Sequence, residues 1–337
     1  MDEWNKKVSA RLLAWYKENG RALPFRQNPD AYAVWISEIM AQQTRIEAML
    51  PYYTAFLEKF PDLSSLAAAD PEVLHKAWEG LGYYSRVRNM QKCARVLVEQ
   101  GKTNLPLTRA ELEVLPGIGP YTAGAIASIA GGQQTAAVDG NVLRIFSRLF
   151  RIEEPIDGSK VKKQITELAE AMVPAAAGDF NQALMDLGSM VCIPKAPRCE
   201  ICPLNEQCAA YAAGEAAVLP KRKAKKARRI EKKQFRIRVY KDGTDYALAL
   251  YRRPEEGLLA GLYGFEEGSL EGSLQLGTYV HVFSHVEWHI EVGLAFVPEK
   301  EDNFYTRRQV EEELALPSAY QPAWKMVKEY LDGRNRN

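Results

Sequence analysis

The chain has 337 residues, 47% of them apolar and 26% charged, and a net charge of +1. That is room for two domains of ordinary size with globular composition, and no apolar stretch reaches membrane-spanning length or forms a signal segment behind Met1–Lys7. The near-zero net charge says little about partners, and any affinity for nucleic acid would have to come from local surfaces.

Residues 1–215 read as helices and short loops. Asn28-Pro29 looks like a cap followed by a first-turn proline, and Tyr32, Trp35, Ile36, Ile39 and Met40 then follow helical spacing. A second helix is predicted over Tyr83–Gln100, with Cys93 packed inside it. Leu115-Pro116-Gly117-Ile118-Gly119-Pro120-Tyr121 joins two helical stretches. Gly117 and Gly119 around one apolar residue leave backbone N–H groups bare beside a helix N-terminus, which suits a phosphate. This is the helix-hairpin-helix pattern of proteins that hold DNA by its backbone, and the plain alternative is a tight turn. Val142, Ile145, Phe146, Leu149 and Phe150 form another helical stripe, which Asp139 is placed to cap. Val161, Ile165, Leu168 and Met172 mark one more.

Cys192, Cys199, Cys202 and Cys208 follow, with gaps of six, two and five residues. One C-x2-C turn flanked by a cysteine on each side can wrap a single cluster. Zinc and [4Fe–4S] both accept four thiolates, and a single C-x2-C pair without a nearby histidine favours the iron–sulfur cluster. A basic linker is expected over 216–234. Nine Lys/Arg against one Glu between Lys221 and Lys233 give it +8, which leaves −7 on the rest of the chain. Alternation then sets in at Phe235–Tyr240 and recurs in Tyr246–Tyr251, Thr278–Phe283 and Trp288–Phe296. Helices are predicted near Arg307–Leu314 and Pro322–Leu331, so residues 235–337 read as a smaller α+β domain.

Several stretches together resemble the endonuclease III superfamily, and within it the adenine DNA glycosylases of the MutY family. These are Trp15-Tyr16 with Leu23-Pro24-Phe25-Arg26, Val34–Thr44 (VWISEIMAQQT), Trp78–Arg86 (WEGLGYYSR), the hairpin, Val138–Val142 and the four-cysteine loop. The resemblance is strong over 11–212 and weak beyond, through Gly257–Tyr263 and Phe283-Ser284-His285. It implies an all-α helix-hairpin-helix domain with a [4Fe–4S] loop and a Nudix-like C-terminal domain that reads 8-oxoguanine. It also implies removal of adenine from A:8-oxoguanine, and from A:G, in double-stranded DNA.

By the same resemblance Glu38 protonates the departing adenine, Asp139 steadies the cationic sugar, and Tyr121 and Asn141 assist. On physical grounds Glu38, at the margin of an apolar stripe, should be held neutral by desolvation, and Asp139, at a helix N-terminus, should be held as the anion. Gln43, Leu81 and Tyr83 match residues that approach or wedge into the duplex. Arg26, Thr44 and Arg86 match polar contacts around the bases, Gly117 and Gly119 hold the backbone, and Phe283, Ser284 and His285 face the 8-oxoguanine.

Bifunctional relatives carry a nucleophilic lysine after the hairpin. Tyr121 stands there, which implies a monofunctional enzyme. The alternatives are a pyrimidine-lesion glycosylase/AP lyase and a non-catalytic Fe–S DNA-binding protein. Gly268–Ser273 runs straight toward the next strand where the family has a further helix, so the C-terminal domain reads as trimmed. Gly293, Glu299, Arg307, Glu311 and Glu312 fall at Nudix-box intervals, but Arg308 stands where the box needs glutamate, and the match is read as coincidence. A monomer in the cytoplasm, associated with the nucleoid, is expected.

Overall fold

The computed structural model describes residues 2–27, 29–224, 227–243 and 245–334. Two compact units divide the chain: 1–68 with 89–224, and 69–88 with 225–337. The helix–sheet division matches expectation. The boundary does not, because the segment 69–88 groups with the sheet rather than with the helices around it in sequence.

The first unit is helical. Its central helix, Ala31–Ala41, is buried at every residue but the last, as a helix apolar on all sides must be. Asn28 lies outside the described residues. The helix starts two residues later than that reading, with Asp30 as its N-cap, whose carboxylate accepts from Ala33 N at 2.9 Å. The helix Gly140–Leu149 is capped by Asp139 as expected. Its apolar face, Val142, Ile145, Phe146 and Leu149, packs with Phe180, Ala183, Leu184 and Leu187 of the helix Ala177–Met190 and with Val8 and Leu12 of Glu3–Asn19. The helix Ser85–Glu99 crosses the boundary between units, and Cys93, in its first-unit part, is fully buried.

The second unit is built on one sheet. Its strands are β1 (Arg229–Asp242), β2 (Asp245–Ala249), β5 (Glu266–Glu267), β6 (Leu274–Val282), β7 (Val286–Val297) and β8 (Phe304–Thr306). A two-strand ribbon pairs β3 (Tyr251–Arg252) with β4 (Tyr263–Gly264). The sheet order is β6-β7-β1-β2-β8, with β5 also on β1; β1 and β7 are parallel and the other pairs antiparallel. Phe235, Ile237 and Val239 of β1 alternate into the core beside Trp288, Ile290, Val292 and Leu294 of β7. The helix Gln321–Arg334 covers them with Ala323, Trp324, Val327 and Leu331.

One expectation needs correction here. The basic stretch is not linker through residue 234: β1 begins at Arg229, because twelve residues of parallel pairing with β7 satisfy its backbone. Lys225 and Lys226 of that stretch lie outside the described residues. Near Arg307–Leu314 the chain is helical as expected, over residues 307–313, with its last five residues, Gln309–Glu313, wound as a π-helix. Between β5 and β6 there is no helix among the described residues.

Candidate active site

A cavity of about 960 Å³ opens in the first unit. Glu38, Tyr121, Asp139, Asn141, Arg26, Gln43 and Thr44 all line it, so the helix Ala31–Ala41, the post-hairpin helix Pro120–Ile129 and the cap of Gly140–Leu149 converge on one space. Its size is in the range of sites that enclose a small ligand.

Glu38 is 7% exposed. Burial pushes its carboxyl up to about 7, the Tyr121 hydrogen bond opposes this, the charge of Asp139 adds to it, and Arg26 opposes it. The Tyr121 hydroxyl donates to Oε2 of Glu38, and among the described residues no side chain donates to Oε1. Burial and the two carboxylates hold the Tyr121 phenol well above its ordinary range, so it acts as a donor and not as a base.

Asp139 differs from expectation in one respect. Burial raises its carboxyl above the ordinary carboxylate range, and the helix N-terminus does not fully reverse that. Its donors set it apart from Glu38 nonetheless. Oδ1 accepts from Asn141 N at 2.8 Å and Val142 N at 2.9 Å, and Oδ2 accepts from Asn141 Nδ2 at 2.7 Å. Three N–H groups serve the anion at Asp139, against one hydroxyl at Glu38. Behind it, Arg144 donates to Asn141 Oδ1 at 2.8 Å, to Gly188 O at 2.7 Å and to Cys192 O at 2.8 Å. Glycine at 188 permits this approach: a methyl group there would lie 2.5 Å from Cβ of Asn141.

Arg26 does not present a free guanidinium to the cavity. It grips Asp186, a fully buried carboxylate that the sequence reading passed over, and Arg21 grips the same group from the other side. Gln43 sits at the cavity rim in the left-handed region with φ of 61°, and Thr44 follows it. Gln182 and Met185, also not anticipated, complete the wall.

In the hairpin Gly117 has φ of 76°, and a methyl group there would meet Cβ of Asn89 at 2.6 Å, so both conformation and space require glycine. Gly119 has an ordinary φ of −90° and serves as the cap of Pro120–Ile129, with Pro120 at its first position. Val114 beside the turn is 81% exposed.

Leu81, Tyr83 and Arg86 belong to the second unit and do not line the Glu38 cavity. Arg86 is committed to the turn itself: it donates to Leu81 O at 2.9 Å and Gly82 O at 3.1 Å and stacks over the Trp78 and Tyr83 rings. Leu81 and Tyr83 instead line a second-unit groove of about 500 Å³ with Phe283, Ser284 and His285. Tyr83, half-exposed with φ of 48°, pairs its hydroxyl with Ser284 Oγ at 2.7 Å. Phe283 stacks edge-on against His281 and Trp288. The end of the basic stretch anchors this loop, for Arg228 Nε donates to Phe283 O at 3.1 Å and Arg229 N to His285 O at 3.2 Å.

Cys192, Cys199, Cys202 and Cys208 line one small cavity of about 30 Å³ together with Arg148. Burial pushes the Cys202 thiol up to about 12 and raises Cys199 and Cys208, and the neighbouring sulfurs add to each. Among the described residues no group of three or more His, Cys, Asp or Glu is arranged to hold a metal ion. Arg148, 1% exposed, braces the loop by donating to Cys192 Sγ at 3.2 Å, Ile193 O at 2.8 Å and Pro194 O at 2.8 Å. Neither Arg144 nor Arg148 was anticipated, although two arginines four apart on a strongly amphipathic helix are a signal for such bracing.

Residues 36–171 match the family described as HhH-GPD superfamily base excision DNA repair protein. The chain is 45% identical over 226 residues to an adenine DNA glycosylase of Mus musculus, covering 63% of this chain and 44% of that one. It is 46% identical over 209 residues to that of Homo sapiens (59% and 38%), and 38% identical over 220 residues to that of Buchnera aphidicola from Schizaphis graminum (65% and 63%). The matched segment therefore spans less than two thirds of the length of each of these relatives. Among solved structures, a thermostable thymine-DNA glycosylase aligns with a TM-score of 0.56 at 28% identity, over 63% of this chain and all of that one. A non-covalent endonuclease III–DNA complex aligns with a TM-score of 0.53 at 22% identity, over 62% and 97%, a likeness of fold alone.

Proposed function

We propose that the chain, whose residues 36–171 match the HhH-GPD superfamily of base excision DNA repair proteins, is a monofunctional DNA glycosylase that hydrolyses the N-glycosidic bond of adenine mispaired with 8-oxoguanine or guanine in double-stranded DNA. The observation that carries this reading is the shared cavity. A shielded carboxyl raised to about 7 and a carboxylate served by three N–H donors open onto one space. The similarity to curated adenine DNA glycosylases selects the base.

The chemistry follows from these side chains. Adenine reaches the cavity only when flipped out of the stack. Glu38, protonated near neutral pH, delivers its proton to the base from Oε1, while Tyr121 fixes the carboxyl through Oε2. Bond cleavage leaves positive charge on the sugar, which the Asp139 carboxylate stabilises while Asn141 holds it in place. Water then adds to the sugar and gives up one proton, matching the one Glu38 lost to the base. No lysine lines the cavity among its described residues, which supports hydrolysis without a Schiff base. Gly117, Gly119 and the first turn of Pro120–Ile129 would take the DNA backbone, with Gln43 and Thr44 beside the flipped nucleotide.

The four cysteines suit a [4Fe–4S] cluster: four thiols face one cavity, with burial and mutual repulsion that a cationic centre would relieve. Such a cluster would supply iron–thiolate bonds that hold Cys192–Cys208 in place, a structural service. Iron and acid-labile sulfide should be found in the purified chain and should fall in Cys202→Ser. Stoichiometric zinc without iron would overturn the assignment.

In the second unit the Nudix-like domain would read the base opposite adenine through Phe283, Ser284 and His285. His285→Ala is expected to reduce the preference for 8-oxoguanine over guanine by about tenfold, the worth of one or two hydrogen bonds. Unchanged discrimination would remove that role from the loop. The reading as a whole is tested by single-turnover base release from A:8-oxoguanine, A:G and A:T duplexes. Adenine should leave the first two and not the third, and strand nicking without alkali would point to a lyase instead.

A further inference from the structure

We infer that Asp186 is a positioning residue for this reaction, one that holds Arg26 at the cavity wall and offsets its charge so that Glu38 can keep its proton; the inference rests on the reading of Glu38 as the acid.

Asp186 is fully buried on the helix Ala177–Met190, between the core residues Leu184 and Leu187. Its oxygens accept a bidentate grip from Arg26, Nη1 to Oδ2 at 2.8 Å and Nη2 to Oδ1 at 3.0 Å. Arg21 adds Nε to Oδ1 at 2.8 Å and its backbone N to Oδ2 at 2.9 Å. Burial works to raise the Asp186 carboxyl, but the hydrogen bonds and charges of Arg26 and then Arg21 outweigh it, so the group is an anion at neutral pH.

A buried ion pair is a weak source of stability, so this arrangement is better explained by what it does for its neighbours. Arg26 lines the same cavity as Glu38, lies over the Tyr16 ring at 5.7 Å, and keeps its Nε–H buried without a hydrogen-bond partner. An uncompensated guanidinium lining the same desolvated cavity as an acid would draw the proton off. Two arginines and one aspartate leave the cluster at +1; without Asp186 it would be +2. The other charged or titratable groups facing Glu38 are Tyr121 and Asp139, and Asp139 is itself balanced by Asn141 and Arg144. Arg45 and Glu47 line the same cavity with opposite charges.

The test uses the full chain and the pH profile of single-turnover adenine release. In the wild type the alkaline limb should fall near 7, where Glu38 ionises. Asp186→Asn should move that limb down by about one pH unit, and Arg26→Gln should move it up. In the Arg26→Gln background, adding Asp186→Asn should shift the limb less than it does in the wild type, since the guanidinium it offset is gone. A merely structural Asp186 would lower the rate equally at all pH values, and that result overturns the inference. Should Asp186→Asn fail to fold, Arg26→Gln decides alone, and an alkaline limb that stays put or moves down is the overturning result. A wild type that releases no adenine would instead sink the functional reading.

Discussion

Glu38→Gln is expected to lower single-turnover adenine release by at least about a thousandfold while substrate DNA is still bound. Removing a general acid costs about 10²–10⁴ in rate, and the upper part of that range applies where no other proton source serves the leaving base. Tyr121 cannot substitute, because burial and the adjacent carboxylates hold its proton tightly. Glutamine keeps the shape and can still accept from the Tyr121 hydroxyl, so the cavity and its contacts should survive. Residual release within tenfold of wild type would remove Glu38 as the acid.

The same substitution has a stability signature with a definite sign. The Glu38 carboxyl is raised in the folded chain, from 4.5 to about 7. Its protonated form is therefore favoured by folding. That contribution is fully present below pH 4.5 and is lost as pH rises through 7, at a cost of about 3 kcal/mol from one buried group. Denaturant unfolding between pH 5 and pH 8.5 should show this decline in the wild type and a flatter curve in Glu38→Gln. A parallel decline in both would mean that Glu38 is not buried in the manner described.

The sequence carried the outline of this site because its main elements are local. Four cysteines within seventeen residues, two glycines around Ile118 and an aspartate one residue before a helix are all patterns with a direct physical reading. Their convergence on one cavity required the fold. What remained hidden was long-range. Asp186 meets Arg21 and Arg26 across 160 residues or more, and an acid among apolar helix residues gives no local sign of its partners. The grouping of 69–88 with the sheet was likewise illegible, since it rests on contacts such as Lys76 Nζ with Leu314 O at 3.0 Å and Glu79 Oε1 with Leu316 N at 3.0 Å. The basic stretch misled for a different reason. Its Lys and Arg run without alternation and read as solvated linker, because no residue of Arg229–Gln234 is buried and the in–out pattern of β1 begins only at Phe235.

Asp139→Asn should separate the two tasks of this residue. As a cap, asparagine is nearly as good as aspartate, and Oδ1 can go on accepting from the backbone N–H groups of Asn141 and Val142. Helix Gly140–Leu149 should therefore lose no more than about 1 kcal/mol. The electrostatic task is lost outright. A neutral amide does not compensate an oxocarbenium-like sugar, and the new NH₂ group would face the Nδ2 of Asn141, now 2.7 Å from Oδ2. Base release should fall by at least about a hundredfold, in keeping with the removal of one preorganised charge from a desolvated site. Thermal unfolding beside single-turnover kinetics distinguishes the outcomes. A large fall in Tm with a proportionate fall in rate would make Asp139 a cap and nothing more. A near-native Tm with the rate gone identifies the anion that steadies the sugar. Asp139→Ala completes the comparison, because it removes both tasks and should cost a further 1 kcal/mol or so of stability relative to asparagine without slowing base release much beyond it.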